Sequence, residues 1–300
     1  MRYAIEATEL SKVYGDGKKA LDNFSLRVPA KSVCSLLGKN GAGKTTFTKI
    51  VSTILEPTSG EAQVLGYDLL KQTKEVRKRI SIVPQEGRPF GLQTPFEHVF
   101  MFLVAHGWSL SDARKKAQAI LDRLQLSEYK NKICSTLSGG LKQRVMIAMA
   151  AAVEPEMILL DEPTIGLDPL ARIMIWDFVQ ELVDSGTTIF LTTHYMDEAE
   201  TLSQQVTIMD AGKKVLEGTP QELKSHLKAT TSVVISGKIS EGELEGFGVV
   251  HRNGATARVF TDEVRGRELA DYAIKRRLGV TLRPVTLEDL FIYLLGEADD

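Results

Sequence analysis

Hydrophobic and polar residues alternate with two different periods along the first two-thirds of the chain. Short apolar runs at 33–37, 80–83, 157–160 and 188–192 predict buried strands. The longer stretches between them carry apolar residues three and four positions apart, which predicts helices. Strands alternating with helices are typical of an α/β fold with a largely parallel sheet.

The first of these strands runs into a glycine-rich segment that opens a helical pattern. Four apolar residues then stand at i, i+3, i+4 and i+7, which predicts one buried helix face. They are Phe47, Ile50, Val51 and Ile54. Because proline cannot continue a helix, the predicted helix ends before Pro57.

From about residue 88 to 154 the pattern is helical throughout. One apolar stripe consists of Ala113, Ala117, Ile120, Leu121 and Leu124, and another of Val145, Ala148, Met149 and Ala152. We therefore predict a helical insertion within the sheet domain. After it, Asp168 followed by Pro169 predicts a helix N-cap, and Gly186 a helix end.

The sequence predicts a second, small α+β domain over residues 226–300, after a first domain of 1–225. A hairpin is expected over Val249–Phe260, turning at Asn253-Gly254. A helix with Leu269, Ala273 and Leu278 follows. Thr286 with Asp289 three residues later then predicts a capping box at the start of a last helix.

Composition narrows the class of protein. The chain has 300 residues, 43% hydrophobic and 25% charged, with a net charge of -2, which argues against a general nucleic-acid binder. Cys34 and Cys134 are far apart, so we expect two reduced thiols. The N-terminus lacks the apolar stretch of a signal peptide, and no apolar run is long enough to span a bilayer. We therefore expect a cytoplasmic chain that does not itself cross a membrane.

The segment from Gly38 to Thr45, GKNGAGKT, is a complete GxxxxGK(S/T) pattern between a strand and a helix. Such a loop wraps backbone N–H groups around phosphate oxygens at a helix N-terminus. Lys44 would bridge the β- and γ-phosphates, and the Thr45 hydroxyl would bind Mg²⁺. The predicted phosphate-binding residues are Gly38, Asn40, Gly41, Ala42, Gly43, Lys44, Thr45 and Thr46.

Two acids follow the apolar run at 157–160. A buried parallel strand that ends in an acid would deliver Asp161 to the metal at the carboxyl edge of the sheet. Glu162 would point elsewhere and take a proton from the attacking water. Two solvated acids at a strand end are the ordinary alternative, and only the phosphate loop disfavours it.

A second glycine-rich helix start follows at Leu137-Ser-Gly-Gly140. The Ser138 hydroxyl and the N–H groups of Gly139 and Gly140 could form another anion site. One nucleotide cannot easily use two helix N-termini from different parts of one chain. The economical arrangement is a homodimer in which each chain's Ser138 faces the nucleotide of its partner.

Five ordered motifs closely resemble those of the ATP-binding-cassette (ABC) family, over about Tyr3 to Leu223. They are GKNGAGKTT, IVPQE around Gln85, LSGGLKQR from Leu137, MILLDEPTIGLDP from Met157 and LTTHYMDEAE from Leu191. The resemblance implies a P-loop NTPase sheet core with a helical insertion. It also implies an ATP hydrolase that uses ATP and Mg²⁺.

The resemblance assigns roles to further residues. Tyr14 would stack on adenine, and Gln85 would contact Mg²⁺ and the attacking water while relaying nucleotide state to a membrane subunit. Asp168 would belong to the loop that crosses the dimer interface, and His194 would contact the γ-phosphate. The implied catalytic residues are then Glu162, His194 and Gln85, and the metal ligands Thr45, Gln85 and Asp161.

Some positions depart from the family pattern, namely Lys39, Leu141 and Ile165, and none of them removes a group that contacts phosphate or metal. The segment IMDAGKKVLEGTPQEL and the ending TLEDLFI resemble the drug- and antibiotic-exporter type of cassette subunit. The resemblance thus implies export through a separate transmembrane permease at the inner face of the cell membrane. Five aromatic residues after Gln85 would be the docking site or simply core: Phe90, Phe96, Phe100, Phe102 and Trp108.

Two other functions fit parts of the sequence. One is a soluble cassette ATPase that remodels a macromolecular assembly. The other is a P-loop enzyme that transfers phosphate to a substrate, in which Leu137–Gly140 and His194 would have no role.

Overall fold

A computed structural model describes residues 2–295 of the chain. The chain divides after Glu217 into two compact units, whereas the sequence suggested a division after residue 225. The difference is a short helix at Pro220–Ser225, which is capped by Thr219 and buries Leu223. This helix packs against the last helix of the second unit, so the boundary falls before it.

The first unit combines strands and helices in the predicted alternation. Its strands are β1 (Tyr3–Val13), β2 (Lys19–Pro29), β3 (Val33–Leu37), β4 (Ser59–Val64), β5 (Tyr67–Asp68), β6 (Ile80–Val83), β7 (Met157–Asp161), β8 (Thr188–Thr193), β9 (Gln205–Asp210) and β10 (Lys213–Gly218). Its helices are α1 (Lys44–Val51), α2 (Thr73–Arg77), α3 (Pro95–Ala105), α4 (Leu110–Arg123), α5 (Gly139–Ala152), α6 (Pro169–Asp184) and α7 (Met196–Leu202). Short 3-10 turns lie at Ser127–Tyr129 and Cys134–Thr136.

The central sheet has the strand order β10-β9-β3-β8-β7-β6. Neighbouring strands from β9 to β6 run parallel, and every residue of β3, β7 and β8 is buried. The α/β fold inferred from the sequence is confirmed. Because parallel strands end at the same edge, this order brings the residues after β3, β7 and β8 together.

A second, antiparallel sheet with the order β2-β1-β4-β5 was not anticipated from the sequence. The Phe47 ring of α1 lies 5.1 Å from Phe24 of this sheet and 5.5 Å from Phe190 of the central sheet. Helix α1 is thereby packed between the two sheets. The strand β1 ends at Val13, which carries Tyr14 toward the start of α1.

Helix α1 is shorter than its apolar pattern suggested. Phe47, Ile50 and Val51 are fully buried as predicted, but Ile54 is 61% exposed, so its assignment to the helix face was wrong. The chain leaves the helix after Val51, where Thr53 adopts a left-handed φ of 63°. The N–H of Thr53 donates to the Ile50 carbonyl (2.9 Å), which closes the helix end.

The predicted helical insertion consists of α3, α4 and α5. Both predicted stripes pack into one core with the central sheet, and all their residues are buried except Met149, which is partly buried. Phe96, Phe100 and Trp108 pack against the same core, whereas Phe90 is 77% exposed.

Both cysteines are buried free thiols. Within residues 2–295, no helix has both the length and the apolar character needed to span a bilayer.

The second unit is an antiparallel sheet with helices. Its elements are α8 (Pro220–Ser225), β11 (Thr231–Ser236), β12 (Val249–Asn253), β13 (Thr256–Thr261), α9 (Glu263–Lys275), β14 (Gly279–Pro284) and α10 (Leu287–Leu295), with the strand order β12-β13-β11-β14. The loop of the predicted hairpin is Gly254-Ala255, one residue later than expected, because Asn253 still pairs with Thr256. Leu269 and Ala273 of α9 are buried, and Leu278 packs on the same core from outside the helix.

Asp289 does more in this unit than cap a helix. Its Oδ2 accepts from the Thr286 N–H (2.9 Å), as the capping box predicts. The same carboxylate is fully buried and is paired with Arg258 (2.7 Å) and Arg283 (2.9 Å). A buried charge requires such partners, so the network fixes the start of α10 on the sheet.

Candidate functional site

The glycine-rich loop joins β3 to the N-terminus of α1 and follows the backbone of its neighbours closely. A Cβ on Gly38 would lie 2.4 Å from the Met209 carbonyl oxygen, and one on Gly43 would lie 2.4 Å from that of Ala20. Gly43, the N-cap of α1, has a left-handed φ of 114°. Only glycine fits these positions, and the loop therefore presents its N–H groups at a helix start.

A cavity of about 290 Å³ lies at this helix start. It is lined by Tyr14, Lys18, Ala20, Asn40, Gly41, Gly43, Lys44, Thr45, Thr46, Gln85 and Glu162. Two residues of the predicted phosphate loop, Gly38 and Ala42, do not line it. Ala42 is turned into the core, and its carbonyl accepts from the Gly212 N–H (2.8 Å).

Lys44 is almost completely buried at the back of the cavity. Its Nζ donates to the carbonyls of Gly38 (2.7 Å) and Lys39 (3.2 Å) and lies 3.5 Å from Oε1 of Glu162. Burial lowers the pKa of Lys44, and the Glu162 carboxylate opposes this shift. The ammonium group is held by carbonyls of the glycine-rich loop, a position suited to contact with bound phosphates.

Asp161 ends β7 beside the first turn of α1. Its Oδ1 accepts from the Thr45 hydroxyl (3.3 Å) and from the hydroxyl of Thr192, the residue level with it on β8. Burial raises the pKa of Asp161, and the two hydroxyl donors oppose this shift. A hydroxyl and a carboxylate oxygen side by side are ligands that Mg²⁺ accepts together with phosphate oxygens and water.

Glu162 is the point on which the other predicted catalytic residues converge. Its φ of 51° is left-handed, which turns its side chain away from that of Asp161. Its N–H donates to the carbonyl (3.0 Å) of Thr192. Its Oε2 accepts from Nε2 of Gln85 (3.2 Å) and lies 3.2 Å from Nδ1 of His194. Carboxylate, amide and imidazole thus meet at Glu162, and of the three side chains those of Glu162 and Gln85 line the cavity.

The contact between His194 and Glu162 is close but is not a hydrogen bond. The direction at Nδ1 is unfavourable, and this buried nitrogen has no hydrogen-bond partner among the described residues. The ring packs against Tyr195 at 4.2 Å. An unsatisfied buried ring nitrogen beside the cavity fits a contact with a bound ligand oxygen.

Tyr14 reaches the cavity from the antiparallel sheet. Its hydroxyl is 3.2 Å from that of Thr46, and Nζ of Lys12 lies 5.8 Å from its ring centroid. The side chain is 37% exposed, which leaves a ring face open to solvent. This geometry is compatible with stacking on a nucleotide base, the role that the sequence resemblance suggested.

The remaining predicted residues lie elsewhere. Ser138 is the N-cap of α5, with its hydroxyl accepting from the Leu141 N–H (3.3 Å), and Asp168 is the N-cap of α6. Ser138, Gly139 and Asp168 are exposed, and neither these nor Gly140 line the cavity. A Cβ on Gly140 would lie 3.1 Å from the Leu167 side chain, so the two helix starts are neighbours.

Sequence reasoning missed three residues of the site. Lys18 and Ala20 line the cavity from the start of β2, a strand that no motif marked. Thr192 bonds both acids, and its place follows only from the parallel register of β7 and β8. The sequence predicted the strand that contains the LTTH segment. The partner of its first threonine, Thr192, was not evident before the sheet order was known.

The chain matches the family model described as ABC transporter over residues 21–165. It is 42% identical to the daunorubicin/doxorubicin resistance ATP-binding protein DrrA of Streptomyces peucetius, over 75% of this chain and 68% of the relative. It is 35% identical to the daunorubicin resistance ATP-binding protein DrrA3 of Streptomyces coeruleorubidus, over 98% of this chain and 96% of the relative. It is 32% identical to the Nod factor export ATP-binding protein I of Rhizobium etli, over 98% of this chain and 93% of the relative.

Solved structures give the same result for the fold. A dimeric ATP-binding cassette in a post-hydrolysis state, bound to ADP and Pi, aligns with a TM-score of 0.67 at 28% identity, covering 72% of this chain and 98% of that one. The cbiO1 protein of Clostridium perfringens, part of an ABC transporter complex, aligns with a TM-score of 0.68 at 29% identity. That match covers 76% of this chain and 94% of the relative.

Proposed function

The chain belongs to the ABC transporter family as an ATP-binding subunit that hydrolyses ATP, and on this basis we propose that it powers export through a separate transmembrane permease. In this proposal it acts at the inner face of the cell membrane as a homodimer. The relatives named for drug resistance and for Nod factor export support the direction of transport.

The convergence of Lys44, Gln85 and His194 on Glu162 carries the proposal for the chemistry. ATP would lie in the 290 Å³ cavity with its phosphates at the start of α1. The Tyr14 ring would stack on its adenine. Glu162 would accept the proton of the attacking water, which Gln85 would orient. Lys44 and His194 would stabilise the charge on the γ-phosphate.

We propose Thr45, Gln85 and Asp161 as the protein ligands of Mg²⁺. The Thr45 hydroxyl and the Asp161 carboxylate are already in contact, and Gln85 lines the same cavity as Thr45 and carries an amide oxygen. The ion would neutralise phosphate charge when bound. The three oxygen-bearing side chains suit a cation that keeps part of its water shell.

The exposed helix start at Ser138, Gly139 and Gly140 supports the dimer. It carries a serine and two glycines, of which Ser138 and Gly139 are exposed, but it lies outside the cavity of its own chain. The N–H groups there would bind the γ-phosphate held by the partner, with Asp168 close to the same interface. A solved relative that is dimeric supports this arrangement.

Permease coupling is testable with the chain and its membrane partner. We would express it with a tag in its native host, purify the Glu162→Gln variant in mild detergent with MgATP, and identify the membrane protein that is retained. The purified pair would then be reconstituted into liposomes with wild-type chain. Export predicts ATP-dependent movement of a fluorescent anthracycline toward the side opposite the ATPase, and none with Lys44→Ala.

A different result would favour the alternative function. A chain that retains no membrane protein but co-purifies with a large soluble assembly, and whose ATPase activity that assembly changes, would replace export with remodelling. Movement toward the side of the ATPase would reverse the proposed direction.

A further inference from the structure

Glu198 is a fully buried carboxylate outside the cavity, on helix α7 shortly after His194. Its Oε1 accepts from the Thr164 hydroxyl (2.9 Å) and from the indole Nε1–H of Trp176 (3.0 Å). Its Oε2 makes no hydrogen bond of good geometry to the described residues. Burying a carboxylate is costly, and burial accordingly raises the pKa of Glu198, although the Thr193 side chain is close enough to oppose this rise.

The two donors come from two successive segments that follow the proposed base in the chain. Thr164 stands two residues after Glu162, in the loop that leads to Asp168. Trp176 stands on α6, the helix that Asp168 caps. Glu198 itself stands four residues after His194. Through its Oε1, Glu198 therefore connects the loop after Glu162, helix α6 and the segment that carries His194.

Helix α6 reinforces this junction through a second residue on the same face. Arg172 stands one helical turn before Trp176, and its guanidinium lies 5.1 Å from the Trp176 ring and 4.6 Å from the Tyr195 ring. Its Nη2 also donates to Asp197 (2.8 Å). Tyr195 in turn packs on the His194 ring, so α6 holds both ends of the 194–198 segment.

We infer that Glu198 is a positioning residue for ATP hydrolysis, joining Thr164 to Trp176 so that His194 keeps its place beside Glu162. The inference rests on the roles proposed above for Glu162 and His194. A purely apolar side chain could fill the same space, but it could not bond two donors from different segments. The Thr164 hydroxyl and the Trp176 N–H would then be unpaired, so the loop and the helix that carry them would be free to shift.

The test removes one donor at a time and keeps the packing. Thr164→Val replaces a hydroxyl by a methyl group, and Trp176→Phe removes the indole N–H but keeps a ring for Arg172. We expect each to lower kcat for ATP hydrolysis about tenfold, the scale of one buried hydrogen bond. The Kd for ATP, measured by fluorescence titration, should not change, because neither side chain lines the cavity.

The acceptor is tested by a matched pair of variants. Glu198→Leu removes both bonds and should lower kcat at least as far as Thr164→Val. Glu198→Gln keeps a carbonyl oxygen for both donors and should recover most of the lost rate. The control is Thr207→Val in β9, where the fully buried hydroxyl has no hydrogen-bond partner among the described residues. It should keep the wild-type kcat.

Thermal unfolding of every variant separates positioning from simple destabilisation. The inference is overturned if Thr164→Val and Trp176→Phe keep wild-type kcat while folded, or if Glu198→Gln is as slow as Glu198→Leu. It is equally overturned if the loss of kcat is matched by weaker ATP binding. ATPase activity is measured on the chain's own nucleotide site, so a failure to find a permease does not affect the result.

Discussion

Helices α1 and α5 begin in nearly the same way and end up in opposite surroundings. Each has glycines at its N-terminus, Gly43 before α1 and Gly139 and Gly140 at the start of α5. Each therefore presents N–H groups that could bind an anion. The start of α1 is enclosed by Lys44, Asp161 and Glu162, all nearly buried. The start of α5 is exposed at Ser138 and Gly139, and the Ser138 hydroxyl caps its own helix.

The difference supports the proposal that the α1 site holds the nucleotide within one chain. The α1 site has two lysines, the Glu162 carboxylate and an aromatic ring on the lining of one cavity, and Asp161 contacts its Thr45 hydroxyl. The α5 start offers the Ser138 hydroxyl and backbone N–H groups, and none of Ser138, Gly139 and Gly140 lines the α1 cavity. In the proposed homodimer, a second copy would complete it. The two sites should therefore respond differently to substitution, and four experiments test this from the largest expected effect to the smallest.

Lys44→Ala should have the largest effect. It removes the charge held by the loop carbonyls, which would weaken ATP binding by about 10- to 100-fold, the scale of a charge-assisted hydrogen bond. Hydrolysis should fall to background. The matched control is Lys49→Ala on the exposed side of the same helix, which should behave as wild type. Wild-type turnover in Lys44→Ala would show that the loop is not the phosphate site.

Glu162→Gln should separate binding from hydrolysis. The amide keeps the size of the side chain but cannot accept a proton, so hydrolysis should slow by about 10²–10⁴-fold while ATP binding is retained. If ATP lies between the two helix starts, the slow variant should form a dimer in gel filtration with MgATP and revert with ADP. Glu156→Gln, an exposed acid just before β7, is the control. A variant that stays monomeric with saturating ATP would count against the shared site.

Ser138→Arg should leave ATP binding intact and stop hydrolysis, because it blocks the α5 half of the partner's site. It also removes a helix cap, at a cost of ~1 kcal/mol in stability. Ser109→Arg removes the equivalent cap of α4 and controls for that loss. Mixing Ser138→Arg with Lys44→Ala restores one intact pair of helix starts in a mixed dimer, and activity should return. A mixture that remains inactive would contradict a site shared between Lys44 of one chain and Ser138 of the other.

Removing the second unit should have the smallest effect on nucleotide chemistry. The cavity is lined only by residues of the first unit, so a chain ending at Glu217 should bind ATP as tightly as the full chain. The cut is placed before α8, because that helix packs against α10. Loss of ATP binding in a truncated chain that still unfolds cooperatively would contradict this expectation.

Local signals carried much of the prediction. The four apolar runs became strands β3, β6, β7 and β8, and the Asp168 cap bonds the Ala171 N–H as its position suggested. The antiparallel sheet was missed because its strands mix buried and exposed residues without a regular period. Ile54 was misplaced because periodicity does not show where a left-handed residue ends a helix.

The sequence by itself determined the chemistry that depends on neighbours in the chain. A glycine loop before a helix, an acid pair after an apolar strand and a serine before glycines are each local patterns, and each fixes what its own segment can do. Only the tertiary structure decided which of these meet. The parallel register of β7 and β8 sets Thr192 beside Asp161, and the left-handed turn at Glu162 brings it to Lys44, Gln85 and His194. Contacts between residues so distant in sequence depend on strand order and packing, which no local pattern encodes.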